Sequence, residues 1–175
     1  MDKRKASNRR VKDRLLAALI AYAGKKDWSK VKVTELIEKS GVARASFYRN
    51  FKSVEEIIDY GVQEMARLYH AQKPFVDEDF RSREVVLYKF RFYGEHADLV
   101  LAFHHAKAST ALLDVITDCE IEACGDMPAY SISRYALYYF SGAFYNMMLN
   151  WLEGGARETP EAMAEEFLRI AKCLP

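Results

Sequence analysis

The sequence predicts an all-α protein with a three-helix helix-turn-helix head and a longer helical domain behind it. Three observations predict this. Apolar residues recur at helical spacing along almost the whole chain, Pro stands only at 74, 128, 160 and 175, and no strand-like alternation interrupts the pattern. Residues 34–56, TELIEKSGVARASFYRNFKSVEE, spell two short helices around the turn Gly41-Val42-Ala43 and then a fresh helix start. A turn of that length with a Gly between two helices is the helix-turn-helix signature. The charge is also divided. Residues 1–53 carry 15 Lys and Arg against 5 Asp and Glu, 15 − 5 = +10, whereas residues 54–175 carry 11 against 20, 11 − 20 = −9. A cationic head fits double-stranded DNA, where released counterions supply affinity, and an acidic remainder would be repelled by phosphate.

The boundary expected from this division is a basic DNA-binding domain over 1–53, with its motif at about 32–51, and an acidic regulatory and dimerisation domain over 54–175. Residues 1–7 read as a mobile basic arm. A first helix is expected from Asn8 to Ala23, with Leu15, Leu16, Leu19, Ile20 and Ala23 on one face and Gly24 at its C-cap. Trp28, Val31 and Val33 read as a segment that plugs the head's core. Thr34 reads as the N-cap of the second helix, with Glu35 beside the positive end of its dipole. Phe47 and Phe51 face the core with Leu36, Ile37 and Val42.

Beyond the head, Ser53-Val54-Glu55-Glu56 is a capping box opening a helix from Val54 to about His70. A loop around 72–82 follows, marked by Pro74. Helices are then expected over Arg83–Gly94, Ala97–His105 and Thr110–Ala123, with a break at Gly125–Pro128. A long helix should run from about Ala129 to Glu153 and end at Gly154-Gly155. Thr159-Pro160-Glu161 starts the last helix with a cap, a Pro at the first position and an acid in the first turn.

The stretch Tyr130–Leu152 leaves almost no polar face, and a helix apolar all round must be buried on all sides. A chain this small offers it one core face, so the other face is expected to meet a second copy. Tyr139, Phe140, Ala143, Phe144, Met147, Met148 and Trp151, with Phe167 and Ile170 of the last helix, form the expected homodimer interface.

Several chemistries find no support. Cys119, Cys124 and Cys173 are too few for a disulfide framework and read as buried small hydrophobes. His96, His104 and His105 lack metal-ligand spacing and read as core or cavity residues. No nucleophile elbow, phosphate-binding loop or paired-carboxylate motif appears, so neither catalysis, nor a cofactor, nor a metal is expected. No stretch has the apolar length of a membrane span or of a signal peptide, and a cytoplasmic protein is expected.

The second helix of the motif presents Arg44, Ser46, Tyr48, Arg49 and Asn50, with Lys52 just after it, on the side away from Phe47 and Phe51. Such a helix lies in the major groove, where Arg bridges guanine O6 and N7 and Asn pairs with adenine. The blocks VTELIEKSGV at 33–42 and SFYRNFKSVEE at 46–56 resemble the tetracycline-repressor (TetR) family of bacterial transcription regulators. The resemblance covers about the first 60 residues in sequence and the remainder in architecture alone. It implies a dimeric regulator, most simply a repressor on a palindromic operator, released by a small molecule bound in the C-terminal domain. It implies that Thr34, Ser46, Tyr48 and Lys52 contact the DNA backbone or groove edge, and that Arg44, Arg49 and Asn50 contact bases or backbone. Ala43 and Ala45 depart from the Ser and Gly common in the family, and Arg49-Asn50 replaces its common Tyr-His pair.

A pocket in the C-terminal domain would draw on its aromatics, with Tyr88, Phe92, Phe103, His104 and Tyr138 the residues expected to line it. Two other readings stay open: an activator or adaptor of the same fold working with a protein partner, and a ligand-binding module whose DNA head is silent.

Overall fold

The structure is a computed structural model that describes residues 3–22, 25, 28–73, 79–106, 109–124 and 128–173. Among these residues every regular element is a helix: α1 (Lys3–Ile20), a 3-10 turn (Trp28–Lys30), α2 (Val33–Ser40), α3 (Arg44–Asn50), α4 (Glu55–Gln72), α5 (Arg83–Glu95), α6 (Ala97–His105), α7 (Ser109–Cys124), α8 (Ile132–Glu153) and α9 (Pro160–Cys173). None of the described helices is long and apolar enough to cross a membrane. The chain divides into two compact units. One comprises Met1–Met65 with Ala102–Ala111, and the other Ala66–Leu101 with Leu112–Pro175.

In the first unit α1 packs on α2 and α3. Leu15 and Leu19 of α1, Leu36 of α2, Phe47 of α3 and Ile57 of α4 are fully buried together with Trp28. The stretch Ala102–Ala111 belongs to this unit through Phe103, whose ring meets the edge of Trp28 at 6.1 Å. Gly61 matters here, because a Cβ at that position would stand 2.8 Å from both Leu16 and Phe103.

Two expectations about this unit are corrected. Helix α1 starts at Lys3, so residues 3–7 are helix and not an arm. Lys, Arg and Ala are strong helix formers, and nothing between Lys3 and Asn8 breaks the helix. Helix α1 also ends at Ile20, and the expected cap at Gly24 lies outside the described residues. Thr34 is not the N-cap of α2. Lys32 holds that place in an extended conformation, and its N–H donates to Glu35 Oε2 at 2.8 Å. The carboxylate of Glu35 reaches back over one turn and takes Val33 and Thr34 into the helix.

The box at the start of α4 forms in altered order. Ser53 Oγ accepts from Glu56 N–H at 3.4 Å, while the Glu56 carboxylate accepts from Lys52 N–H at 2.7 Å.

In the second unit α5 lies along α9 and also meets α8. Its core is aromatic. Phe90 meets Phe144 at 5.0 Å, and Phe140 meets Phe167 at 4.8 Å, both edge to face. Ser82, Ser131 and Thr159 cap α5, α8 and α9, each hydroxyl accepting an N–H at 3.2 Å. The last of these is the cap that the Thr159-Pro160-Glu161 sequence predicts. Arg91 ties α5 to α9 by donating to Glu161 through Nε at 3.1 Å and Nη2 at 2.5 Å.

Candidate nucleic-acid interface

The geometry of α3 begins with its two phenylalanines. Phe47 is fully buried and Phe51 nearly so, and 3.6 residues per turn then turns Ala45 and Arg49 outward. Arg44, Tyr48 and Arg49 are exposed, while Ser46 and Asn50 are half-buried on the flank. The Arg44 guanidinium lies 5.6 Å from the centre of the Tyr48 ring, which itself stands edge-on to Phe47 at 5.2 Å. Tyr48 is thus in contact with both residues and remains about half exposed. Lys52 is exposed just past the helix, and Thr34 is exposed in the first turn of α2.

The turn between α2 and α3 sets this orientation. Gly41 adopts φ +62°, the left-handed conformation that ends α2, and its N–H donates to Glu38 O at 3.3 Å. Arg14 of α1 donates to Ser40 O at 2.6 Å, which fixes α1 against the end of α2. Ala43 precedes α3 without a side-chain cap.

Asn50 Nδ2 donates to Ser46 O at 2.8 Å, one turn back along α3. Asn50 and Arg49 line an open groove of about 490 Å³, whose other walls carry Lys5, Asn8, Arg9 and Lys12 of α1 and Tyr60 and Glu64 of α4. The α1 residues are the part of this surface that motif reading misses. The basic run at 3–12 is visible in the sequence, but the helix that orders it carries no cap signal.

Residues 82–173, more than half of the chain, match the family of sequences described as the transcriptional regulator C-terminal region. The chain belongs to the TetR family of transcriptional regulators. It is therefore a DNA-binding regulator with the all-α architecture of that family, a helix-turn-helix head and a helical second domain. No curated protein matches it. Among solved structures it is similar to a TetR transcriptional regulator from Streptococcus agalactiae 2603V, at 16% identity with a TM-score of 0.61 over 95% of this chain and 96% of that one. It is also similar to a TetR transcriptional regulator from Rhodococcus sp. RHA1, at 17% identity with a TM-score of 0.57 over 97% and 99% of the two chains. At such identities the likeness speaks for the fold.

In the TetR architecture the second domain is where an effector pocket is expected, and the five residues named for it fall in both compact units. Phe103 and His104 belong to the head's compact unit, where Phe103 is core. Tyr88 and Phe92 belong to the second unit and pack on Tyr69 at 5.3 and 5.2 Å, and Tyr88 Oη donates to Tyr69 O at 3.0 Å. Tyr138 stands exposed on α8, its hydroxyl accepting from Arg134 Nε at 3.1 Å.

A small cavity of about 10 Å³ in the second unit is lined by Tyr69, Phe80, Val85, Tyr93 and Ile116, with Lys73, Lys89, Cys119 and Glu120 as its polar lining. That is at the limit of what one water needs. At its edge Cys119 Sγ lies 3.3 Å from His70 Nε2. Burial first, and Glu122 second, push the Cys119 thiol up to about 11, so it is held as the unreactive thiol. No group of three metal-ligating side chains occurs among the described residues.

The face expected to meet a second copy divides. Phe140, Phe144, Met148, Trp151 and Phe167 are buried in the protomer's own core. Tyr139 at 56% and Ile170 at 42% are open to solvent, and Ala143 and Met147 are half-buried. Helix α8 thus leaves part of its apolar surface open in the protomer, on the side where a second copy is expected. Tyrosines carry its outward face, because a phenol can present its hydroxyl to water while its ring packs on the helix.

Proposed function

We propose that the chain is a homodimeric repressor that occupies a palindromic operator with two copies of α3 in successive major grooves. The outward face of α3 carries this reading: Arg44, Tyr48 and Arg49 stand out from a helix locked from behind by Phe47 and Phe51. Ala45, beside Arg49, keeps the centre of that face low enough for a base pair to approach. Arg49 and Arg44 are assigned to bases or backbone, and Thr34, Ser46, Tyr48 and Lys52 to the backbone and groove edge. Asn50, on the flank of α3, is assigned with the two arginines to bases or backbone. Half-sites should lie about 34–36 Å apart or somewhat more. Acting on chromosomal DNA implies a cytoplasmic protein whose work is binding and not catalysis.

The dimer reading is supported by one stripe of α8. Tyr135, Tyr139, Gly142, Asn146 and Asn150 recur at helical spacing on its outward side. Asn146 and Asn150 donate to the carbonyls of Gly142 and Asn146 at 2.8 and 2.9 Å, so their amides already hold partners when water leaves. A Cβ at Gly142 would meet nothing within 4 Å, which leaves room for another helix to come close.

Genomic footprinting of the purified protein tests the whole proposal and should return palindromic sites near promoters. Scattered or absent footprints would favour a head without a DNA role. Lys52→Ala should weaken binding on every sequence and flatten the salt dependence by about one unit. Sedimentation at micromolar concentration should show a dimer, and a monomer would sink that part.

A further inference from the structure

We propose that Arg9, on the N-terminal half of α1, is a phosphate-binding residue of the DNA interface and that Glu64 holds it in reserve. The inference rests on the DNA-binding reading above and extends the interface to a helix outside the motif. Because α1 is helical from Lys3, Lys5, Arg9 and Lys12 recur at spacings of four and three and share one face. That face lines the open groove that ends at Arg49, so the cations of α1 and the outward arginine of α3 meet one volume of solvent.

The groove is unbalanced in charge. Lys5, Arg9, Lys12 and Arg49 line it against one carboxylate, Glu64. Arg9 is ion-paired to that carboxylate, with side-chain exposures of 50% for the arginine and 18% for the glutamate. Asp13 lies 4.0 Å from Arg9 Nε and accepts from Tyr60 Oη at 2.7 Å. Lys12 sits 5.5 Å from the ring centre of Phe51 and 5.1 Å from that of Tyr60.

A cluster of cations beside a recognition helix attracts anions, and the anion that helix brings alongside is a phosphodiester. A guanidinium pairs in the same forked geometry with a carboxylate or a phosphate. Glu64 is thus a phosphate stand-in on the protein itself. An exposed ion pair is weak enough to exchange, so a DNA phosphate can displace it. The pairing lowers affinity for DNA in general and is overcome where α3 also finds its sequence.

The test uses the full-length protein and a short mixed-sequence DNA duplex, since a phosphate contact is indifferent to sequence. Binding is followed by fluorescence anisotropy over a range of salt. Glu64→Gln should tighten binding several-fold at low salt and steepen the slope of log K against log salt by about one unit. In an Arg9→Ala background the same substitution should give no such steepening. An unchanged slope in Glu64→Gln, or an equal gain with Arg9 removed, overturns the proposal while leaving the DNA-binding reading intact. A wild-type chain that binds no duplex at low salt would overturn that reading and this proposal with it.

Discussion

The two compact units treat charge in opposite ways. The head keeps its charges outside a core of aliphatic and aromatic side chains, and among its described residues Ser40 is the buried polar one. The second unit buries Lys89 and Glu120 face to face, the ammonium 5.3 Å from the centre of the Phe144 ring and 5.8 Å from that of Phe140. The difference separates two uses of the same groups. A cation at the surface of α1 or α3 can exchange its partner for a phosphate. A cation enclosed in an aromatic core is tied to the carboxylate buried with it. Its contribution is to fix α5 against α7 in one arrangement, and its cost is desolvation.

Breaking that pair gives the largest expected effect. Lys89→Met should destabilise the protein by about 3–5 kcal/mol, because it takes the buried Glu120 carboxylate's ion-pair partner away. Lys89→Met with Glu120→Leu should recover most of that loss, since both charges are then gone and the volume is kept. Urea unfolding at fixed protein concentration measures both. A double variant as unstable as the single one would show that the pair does more than neutralise itself. The matching experiment in the head is Arg9→Ala, where removing one member of an exposed pair should change stability by less than about 1 kcal/mol.

The same contrast explains what can be read from the sequence. The head is legible because a turn between helices constrains residue types tightly. Gly41 needs a left-handed φ, and Phe47 and Phe51 fix the face of α3. The ends of α1 and α2 are less so, since they depend on groups without a motif, such as the carboxylate of Glu35 reaching Lys32. The bounds of α6 are legible to the residue, but the partners of its side chains are not. Phe103 and Tyr138 look alike as aromatic residues on helices. One is buried against Trp28 and the other is exposed beside Arg134. Periodicity gives the faces of a helix but not which neighbour covers them. For the same reason the sequence could not show Lys89 meeting Glu120, because the two lie far apart in the chain and on different helices.

An intermediate effect sharpens the account of the head. Gly41→Ala places a Cβ at φ +62° and 2.9 Å from Arg14 Nη2, the group that donates to Ser40 O. The left-handed conformation alone costs an L-residue roughly 1–2 kcal/mol. The displaced guanidinium should then loosen the hold of α1 on the end of α2. Thermal unfolding should show the loss, and Gly41→Asn should show a smaller one, because Asn tolerates this conformation better. Equal losses for Ala and Asn would point to the Arg14 contact rather than the backbone.

The smallest expected effect compares the starts of α4 and α9, each with a glutamate in its first turn. The Glu55 carboxyl ionises below its ordinary value, first through a hydrogen bond with the Ser53 side chain and then through its own backbone N–H. The Glu161 carboxyl is lowered too, but chiefly by Arg91. In both cases the folded state favours the ionised form. The stability each contributes is therefore complete above the ordinary carboxylate range and is lost as the pH falls through the depressed value. Glu55→Gln and Glu161→Gln should each lower the melting temperature near neutral pH and match the wild type in acid. Salt should separate them. The attraction between Glu161 and Arg91 is one of opposite charges at the surface, and added salt screens it. The hydrogen bonds of Glu55 come from neutral donors and should be nearly indifferent to salt. Melting temperatures of the two variants at low and high salt measure this, and an equal salt response would show that the macrodipole of the helix start, common to both sites, outweighs the particular partners.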